Sequence, residues 1–197
     1  MLRNNKKICL ITPPSPFLLD ERVFMHIGIL KVASSLESKG YTVDFLDLSG
    51  IENYIDVVKD YCETHKDVSN FGLTASTPQV PFSVLIAKEI KKIVKDSKLI
   101  LGGPHVTLMN TACKREAKRG LDKSSRATND IGKLKKIFDI LICGDGELTI
   151  FEALKIKKGI IDADDRKSKY FLNNQKFSEL PLPARHLVDM TSYKYEI

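Results

Sequence analysis

Five short apolar runs, each ending in a loop of proline, glycine, serine or threonine and each separated from the next by a helical pattern, constrain this chain more than any other feature. The clearest is Leu99-Ile100-Leu101, which stops abruptly at Gly102-Gly103-Pro104-His105-Val106-Thr107. A buried parallel strand reads this way where it emerges at the carboxyl edge of a sheet. The first run, Lys7 to Thr12, is closed by Pro13-Pro14-Ser15-Pro16, and the second is Tyr41 to Asp47. The third, Asn70 to Thr74, ends in Ala75-Ser76-Thr77-Pro78-Gln79, and the fifth, Phe138 to Cys143, ends in Gly144-Asp145-Gly146-Glu147.

Between these runs the apolar residues return at helical spacing. Ile27, Leu30, Ala33 and Leu36 form one helix, with Gly40 placed as its C-terminal glycine. Ile51 to about His65 forms a second, Phe82 to Ile93 a third, and Leu148 to Leu154 opens the last. Strands alternating with helices predict a parallel sheet of five strands with helices on both faces. Right-handed crossovers leave few topologies. The flavodoxin-like order 2-1-3-4-5 is the expectation, with a Rossmann order as the alternative. Residues 1–159 form this α/β domain. Residues 160–197 are expected to be a small hairpin around Asn173-Asn174 and an extended connector through Leu180-Pro181-Leu182-Pro183, where two prolines forbid helix. That connector is expected to lead to an absent domain.

At 197 residues the chain is long enough to bury a core without a disulfide or metal staple. The four cysteines stand far apart with no CxxC, as expected of reduced thiols in a cytoplasmic protein. No stretch approaches the roughly 20 apolar residues of a membrane span, and the basic start is too short and broken for a signal peptide. The net charge of +6 is local. Cys113 to Lys136 carries nine Lys/Arg against three Asp/Glu, an excess equal to the whole formal charge. This basic insertion is read as a solvated segment, helical in two pieces, with an electrostatic docking surface as the alternative, and no nucleic-acid partner is expected.

Ligands of open parallel sheets bind outside the carboxyl ends of the strands, where strand order reverses. All four glycine- or proline-broken loops meet that edge, and together they suit a large, largely neutral ligand. Gly144-Asp145-Gly146-Glu147-Leu148-Thr149 imitates a dinucleotide fingerprint, but Thr149 replaces its third glycine and it follows the wrong strand. No P-loop occurs, and the acidic residues of a receiver domain are missing. His105 is read first as a loop-stabilising donor, with base or ligand roles as alternatives. His26 opens a helix and His65 closes one. His186 lies in the connector. No spacing supports a metal site held by protein alone, no catalytic residue is assigned, and Glu147 is expected to support its loop or helix end.

The order of these motifs resembles the N-terminal cobalamin-binding domain of cobalamin-dependent radical SAM proteins. The matching pieces are Pro13-Pro14, Gly40-Tyr41-Thr42-Val43, Gly72 through Gln79, Gly102-Gly103-Pro104-His105-Val106-Thr107, Gly144-Asp145-Gly146-Glu147 and Leu180-Pro181-Leu182-Pro183-Ala184-Arg185. The resemblance implies a flavodoxin-like (Rossmann-like) fold that holds the vitamin B12 corrin ring over the loop edge, with the dimethylbenzimidazole tail along the sheet. It carries cofactor contacts to Pro13, Pro14, Ser15, Ser76, Thr77, Gln79, Gly102, Gly103, His105, Gly144, Gly146 and Glu147. The DxHxxG motif that places a histidine on cobalt is absent, and His26 has the wrong spacing for it. The resemblance therefore implies base-off cobalamin. The CxxxCxxC of an iron–sulfur cluster is also absent, so the cluster and SAM belong to a radical SAM domain or protein in cis or trans. No catalysis is expected of this chain alone. The alternatives are a cobalamin-free docking domain of the same fold and a flavin- or nucleotide-binding protein.

Overall fold

The structure, a computed structural model, describes residues 6–121 and 125–194. The basic start before residue 6, Asp122 and Lys123 of the basic segment, and the last three residues lie outside the described residues. Six parallel strands form one sheet in the order β2-β1-β3-β4-β5-β6. They are β1 Lys7–Thr12, β2 Thr42–Asp47, β3 Asn70–Thr74, β4 Lys98–Gly102, β5 Ile140–Cys143 and β6 Gly159–Asp162. The helices are α1 Ile27–Glu37, α2 Tyr54–Thr64, α3 Val80–Ile93, α4 Pro104–Lys118, α5 Arg126–Leu134, α6 Gly146–Lys155 and the short α7 Asn174–Ser178.

The flavodoxin-like order holds for the first five strands, but the sheet has six strands, not five. β6 pairs with β5 from Ile140↔Gly159 to Cys143↔Asp162. A helical turn, α7, stands where the hairpin around Asn173-Asn174 was expected, with Asn173 as its N-cap accepting from Lys176 N–H at 2.9 Å. The basic segment is helical in two pieces, α4 and α5, and α5 begins on a Ser125 cap that accepts from Thr128 N–H at 3.1 Å.

Side chains alternate across a strand, so the sheet supplies two cores. On one face Cys9, Phe71, Leu99 and Leu141 pack under α2, α3, α4 and α5. Phe71 is fully buried there, which contributes about 1.5–3 kcal/mol relative to leaving it in water. On the other face Ile8, Leu10, Ile100, Ile140 and Ile142 pack under α1 and α6. A cavity lies on that second face, lined by residues of α1 and α6 and of the strands beneath.

The segment after residue 180 is irregular, with two single-turn 3₁₀ pieces, Arg185–Leu187 and Met190–Ser192. It does not lie free. Ala184 N–H donates to the Leu30 carbonyl at 3.1 Å, and Lys31 Nζ donates to the Pro181 carbonyl at 3.0 Å. Tyr193 is buried against Met25 and Leu30. The segment therefore straps along α1 and reaches the loop after β1, where Lys194 pairs with Asp20 at 2.8 Å.

Candidate functional site

The cavity lies beneath the carboxyl ends of β1, β3, β4 and β5, roofed by α1 and α6, and holds about 200 Å³. Its floor follows from register. Leu10 pairs with Gly72 and Gly72 with Ile100, so one row of the sheet is side chain, bare backbone, side chain. One step further along, Thr74 pairs with Gly102. Glycine inside a strand weakens it, and marks a place where something approaches the backbone closely. A Cβ on Gly102 would meet only Ile142, at 3.8 Å, and one on Gly28 of α1 would meet nothing within 4 Å. Gly102 leaves open space that a side chain would fill, whereas Gly28 is exposed at the start of α1. The walls are apolar, chiefly Ile29, Val32 and Ile150, and the polar lining is Thr74, Asp145 and Glu147.

Gly103 and Gly144 serve a different purpose. Both have positive φ, 98° and 83°. A Cβ on Gly103 would stand 2.6 Å from Thr74 Oγ1, and one on Gly144 would stand 2.6 Å from Asp164 N. They are glycine because neighbouring backbone already occupies that space.

The loops are tied into one rim. Gln79 Nε2 donates to the Pro13 carbonyl at 2.9 Å, and Gln79 Oε1 accepts from Ser76 N–H at 2.9 Å and from Ser76 Oγ at 2.8 Å. His105 N–H donates to the Ala75 carbonyl at 3.0 Å, while its Nδ1 lies 3.1 Å from Thr77 Oγ1. Thr107 Oγ1 donates to the Gly103 carbonyl at 3.1 Å and accepts from Gly144 N–H at 2.8 Å. Ser15 N–H donates to the Glu21 carboxylate, closing the first loop on itself. Pro14 faces a second, shallower recess between that loop, Tyr54 and Phe82.

Of the residues the sequence singled out, Gly102, Gly103, Gly144, Gly146 and Glu147 line the cavity. Pro13, Ser15, Ser76, Thr77, Gln79 and His105 do not line it; they belong to the hydrogen-bonded loops beside it. Sequence reasoning missed Gly28, Gly72, Thr74 and Asp145, although a glycine inside an apolar strand run was a legible signal for Gly72. It also missed Asp162 at the end of β6. Asp162 accepts from Asn110 Nδ2 at 2.7 Å, from the N–H of Asp164 at 3.1 Å and from the Lys114 ammonium, and so holds the loop that presses on Gly144.

Glu147 is the buried charge of the site, 6% exposed at the start of α6. Burial pushes its carboxyl above the usual range and the neighbouring Asp145 adds to this, against the N–H groups of Glu147 and Gly146 and the Lys31 ammonium. Asp145 is raised as well, by burial and then by Asp164. Burial pushes His105 down, so its imidazole is neutral near pH 7. The lining is thus mostly apolar with a buried carboxyl group, and it suits an aromatic or aliphatic group better than a phosphate. Pockets for whole drug-sized ligands run to about 300–1,000 Å³, so this slot has room for only part of such a molecule.

Fold and site together define a flavodoxin-like domain with a cavity at the carboxyl edge of a parallel sheet, the edge where such sheets bind ligands. The B12 binding domain family model matches residues 22–129, more than half of the chain, and the chain belongs to that family. An uncharacterised methyltransferase of Pyrococcus horikoshii is 24% identical over 204 residues, which cover 95% of this chain and 40% of the relative. The chain thus spans about two-fifths of that relative's length. The radical SAM methyltransferase TsrM from Kitasatospora setae, solved with tryptophan and a SAM analogue, overlaps 53% of this chain and 20% of its own. Its identity is 18% and its TM-score 0.46. No helix among the described residues is long and apolar enough to cross a membrane.

Proposed function

We propose that this domain holds cobalamin in a base-off state, with the corrin over the rim and the nucleotide tail in the cavity beneath. The observation that carries the reading is the apolar slot whose floor is left bare at Gly102, in a chain of the B12-binding family. The Thr12 hydroxyl, fully buried at the carboxyl end of β1 with no protein partner, is a further polar group at this edge. When bound, cobalamin supplies a cobalt centre that carries a methyl group or an electron; the protein binds and orients it.

The chain's residues divide the task. Pro13, Pro14 and Ser15 offer a stiff first loop, and the Gln79–Pro13 bond fixes its distance from Ser76 and Thr77. Gly102, Gly144, Gly146 and Glu147 line the tail slot. His105 is engaged with Thr77 and serves as a spacer of the rim. His26, at the start of α1, has its pKa lowered by burial against the opposing pull of Asp47 and Glu21. Neither histidine is assigned to cobalt.

The partner in this reading is a radical SAM domain or protein, in cis or trans, that holds the iron–sulfur cluster and SAM and carries out methyl transfer or a related reaction. The strap is held beside the first loop at Asp20 and Arg22. Titration with hydroxocobalamin, followed by its visible spectrum, tests the reading. Saturable binding with a base-off spectrum, retained in His26→Ala, is expected. A folded protein that leaves the cobalamin spectrum unchanged overturns it in favour of a docking domain.

A further inference from the structure

We propose that Glu147 makes the cavity selective for corrinoids whose tail ends in a nitrogen-bearing base, such as a benzimidazole, over those ending in a phenol. The inference rests on the reading that the tail enters this slot. The slot has room for one ring system: about 200 Å³, with bare backbone at Gly102 and the Leu10 side chain over Gly72 on one side and Val32 and Ile150 on the other. An apolar slot alone grips any ring of that size by area and discriminates poorly between them. Glu147 breaks that tolerance. It is a carboxyl group, nearly fully buried and lining the same space.

The geometry of α6 leaves the group half committed. The N–H groups of Glu147 and Gly146 reach the carboxylate, yet burial still outweighs them and favours the protonated form. Lys31, the nearest cation acting on it, is turned the other way, its Nζ on the Pro181 carbonyl at 3.0 Å and 4.5 Å from the Phe177 ring centre. A carboxyl and a ring nitrogen that face each other share one proton, whichever of the two carries it. A phenolic ring attached through its oxygen offers no such nitrogen, so the carboxyl is left without its ligand partner in an apolar slot. Sites that hydrogen-bond a ligand reject the analogue lacking that group, because the buried polar partner goes unpaired.

Three probes and two variants test this, with Kd read from visible spectra: cobalamin, p-cresolylcobamide and cobinamide, which has no nucleotide tail. The wild-type protein is expected to bind cobalamin at least tenfold more tightly than the cresolyl form. Glu147→Leu should bring that ratio near one by weakening cobalamin, and Glu147→Gln, which keeps a polar amide, should retain most of it. A purely helix-capping role moves stability and both affinities together, not their ratio. Equal binding of the two cobamides by the wild type, or an unchanged ratio in Glu147→Leu, overturns the proposal. Cobinamide binding as tightly as cobalamin removes the tail from the slot and sinks the inference while the corrinoid reading stands. If none of the three binds, both fall together.

Discussion

Gln79 Nε2 donates to the Pro13 carbonyl at 2.9 Å, joining the loops after β3 and β1 across the point where strand order reverses. Gln79 is 3% exposed, so this bond is made away from water. Gln79→Ala removes it along with the two contacts to Ser76, leaving the Pro13 carbonyl unpaired. Such a loss costs about 1–3 kcal/mol. Chemical denaturation should show a drop of that size with an unchanged slope. A variant as stable as the wild type would mean that the rim is not held by this residue.

Gly102 and Gly103 are adjacent and carry opposite expectations. Gly102→Val puts a side chain into open slot, since its Cβ meets nothing nearer than 3.8 Å. The protein should fold normally and lose at least tenfold in cobalamin affinity. Gly103→Ala forces a positive φ on an L residue and drives its Cβ to 2.6 Å from Thr74 Oγ1. It should destabilise the fold by about 1–3 kcal/mol from backbone strain alone. Thermal melts and corrinoid titrations of the pair separate the two roles; a Gly102→Val protein that binds as well as wild type argues against the slot.

That contrast also shows what the sequence made legible. Both glycines announce themselves in Gly102-Gly103-Pro104, but only the packing around each shows that Gly102 opens onto free space and Gly103 presses on backbone. The first five strands were readable because each is a nearly continuous apolar run. β6 was not. Its four residues alternate, with Ile161 buried and Ile160 partly exposed, and follow two lysines. Its connection is also unusual. β4 to β5 crosses over the face of α4 and α5, whereas β5 to β6 moves in the same direction over the opposite face, through α6. That hand is the rare one for parallel crossovers, so the usual rule argued against a strand there. The α7 turn was read as a hairpin because Asn173-Asn174 suits a tight turn as well as it suits a helix cap.

Glu147 ties binding to stability through pH. Its carboxyl is raised in the folded state by burial, and by Asp145 after that. Between the ordinary glutamate value of about 4.3 and the raised one, the folded chain holds a proton that the unfolded chain does not. Stability from this group is therefore full below the ordinary value and is lost as pH rises through the folded one. Glu147→Gln does not titrate, so its stability should exceed the wild type's at pH 8 and converge with it near pH 4. Parallel stability curves from pH 4 to 8 would show that the carboxyl is not perturbed in the folded protein.

The strap makes the last prediction. Arg22 holds it at the first loop: Nε donates to the Ser49 carbonyl at 2.9 Å, Nη1 donates to Ser192 Oγ at 2.6 Å, and the guanidinium lies 5.5 Å from the Tyr193 ring centre. The Arg22 carbonyl accepts from Lys194 N–H at 3.0 Å, and the Tyr193 hydroxyl bonds Asp47 at the end of β2. One side chain thus joins the loop beside the proposed corrin site to the C-terminal strap. Arg22→Ala keeps the Lys194 backbone bond and the burial of Tyr193, so the domain should remain folded while the strap frays locally. Trypsin should then cut at Arg185 several-fold faster than in the wild type, and amides from Ser192 to Lys194 should exchange faster than those of α1. Unchanged cleavage would mean that the strap is held by Tyr193 packing on Met25 and Leu30 rather than by the Arg22 contacts. The decisive variant would then be Tyr193→Ala, whose removal of a buried aromatic ring costs about 3–5 kcal/mol.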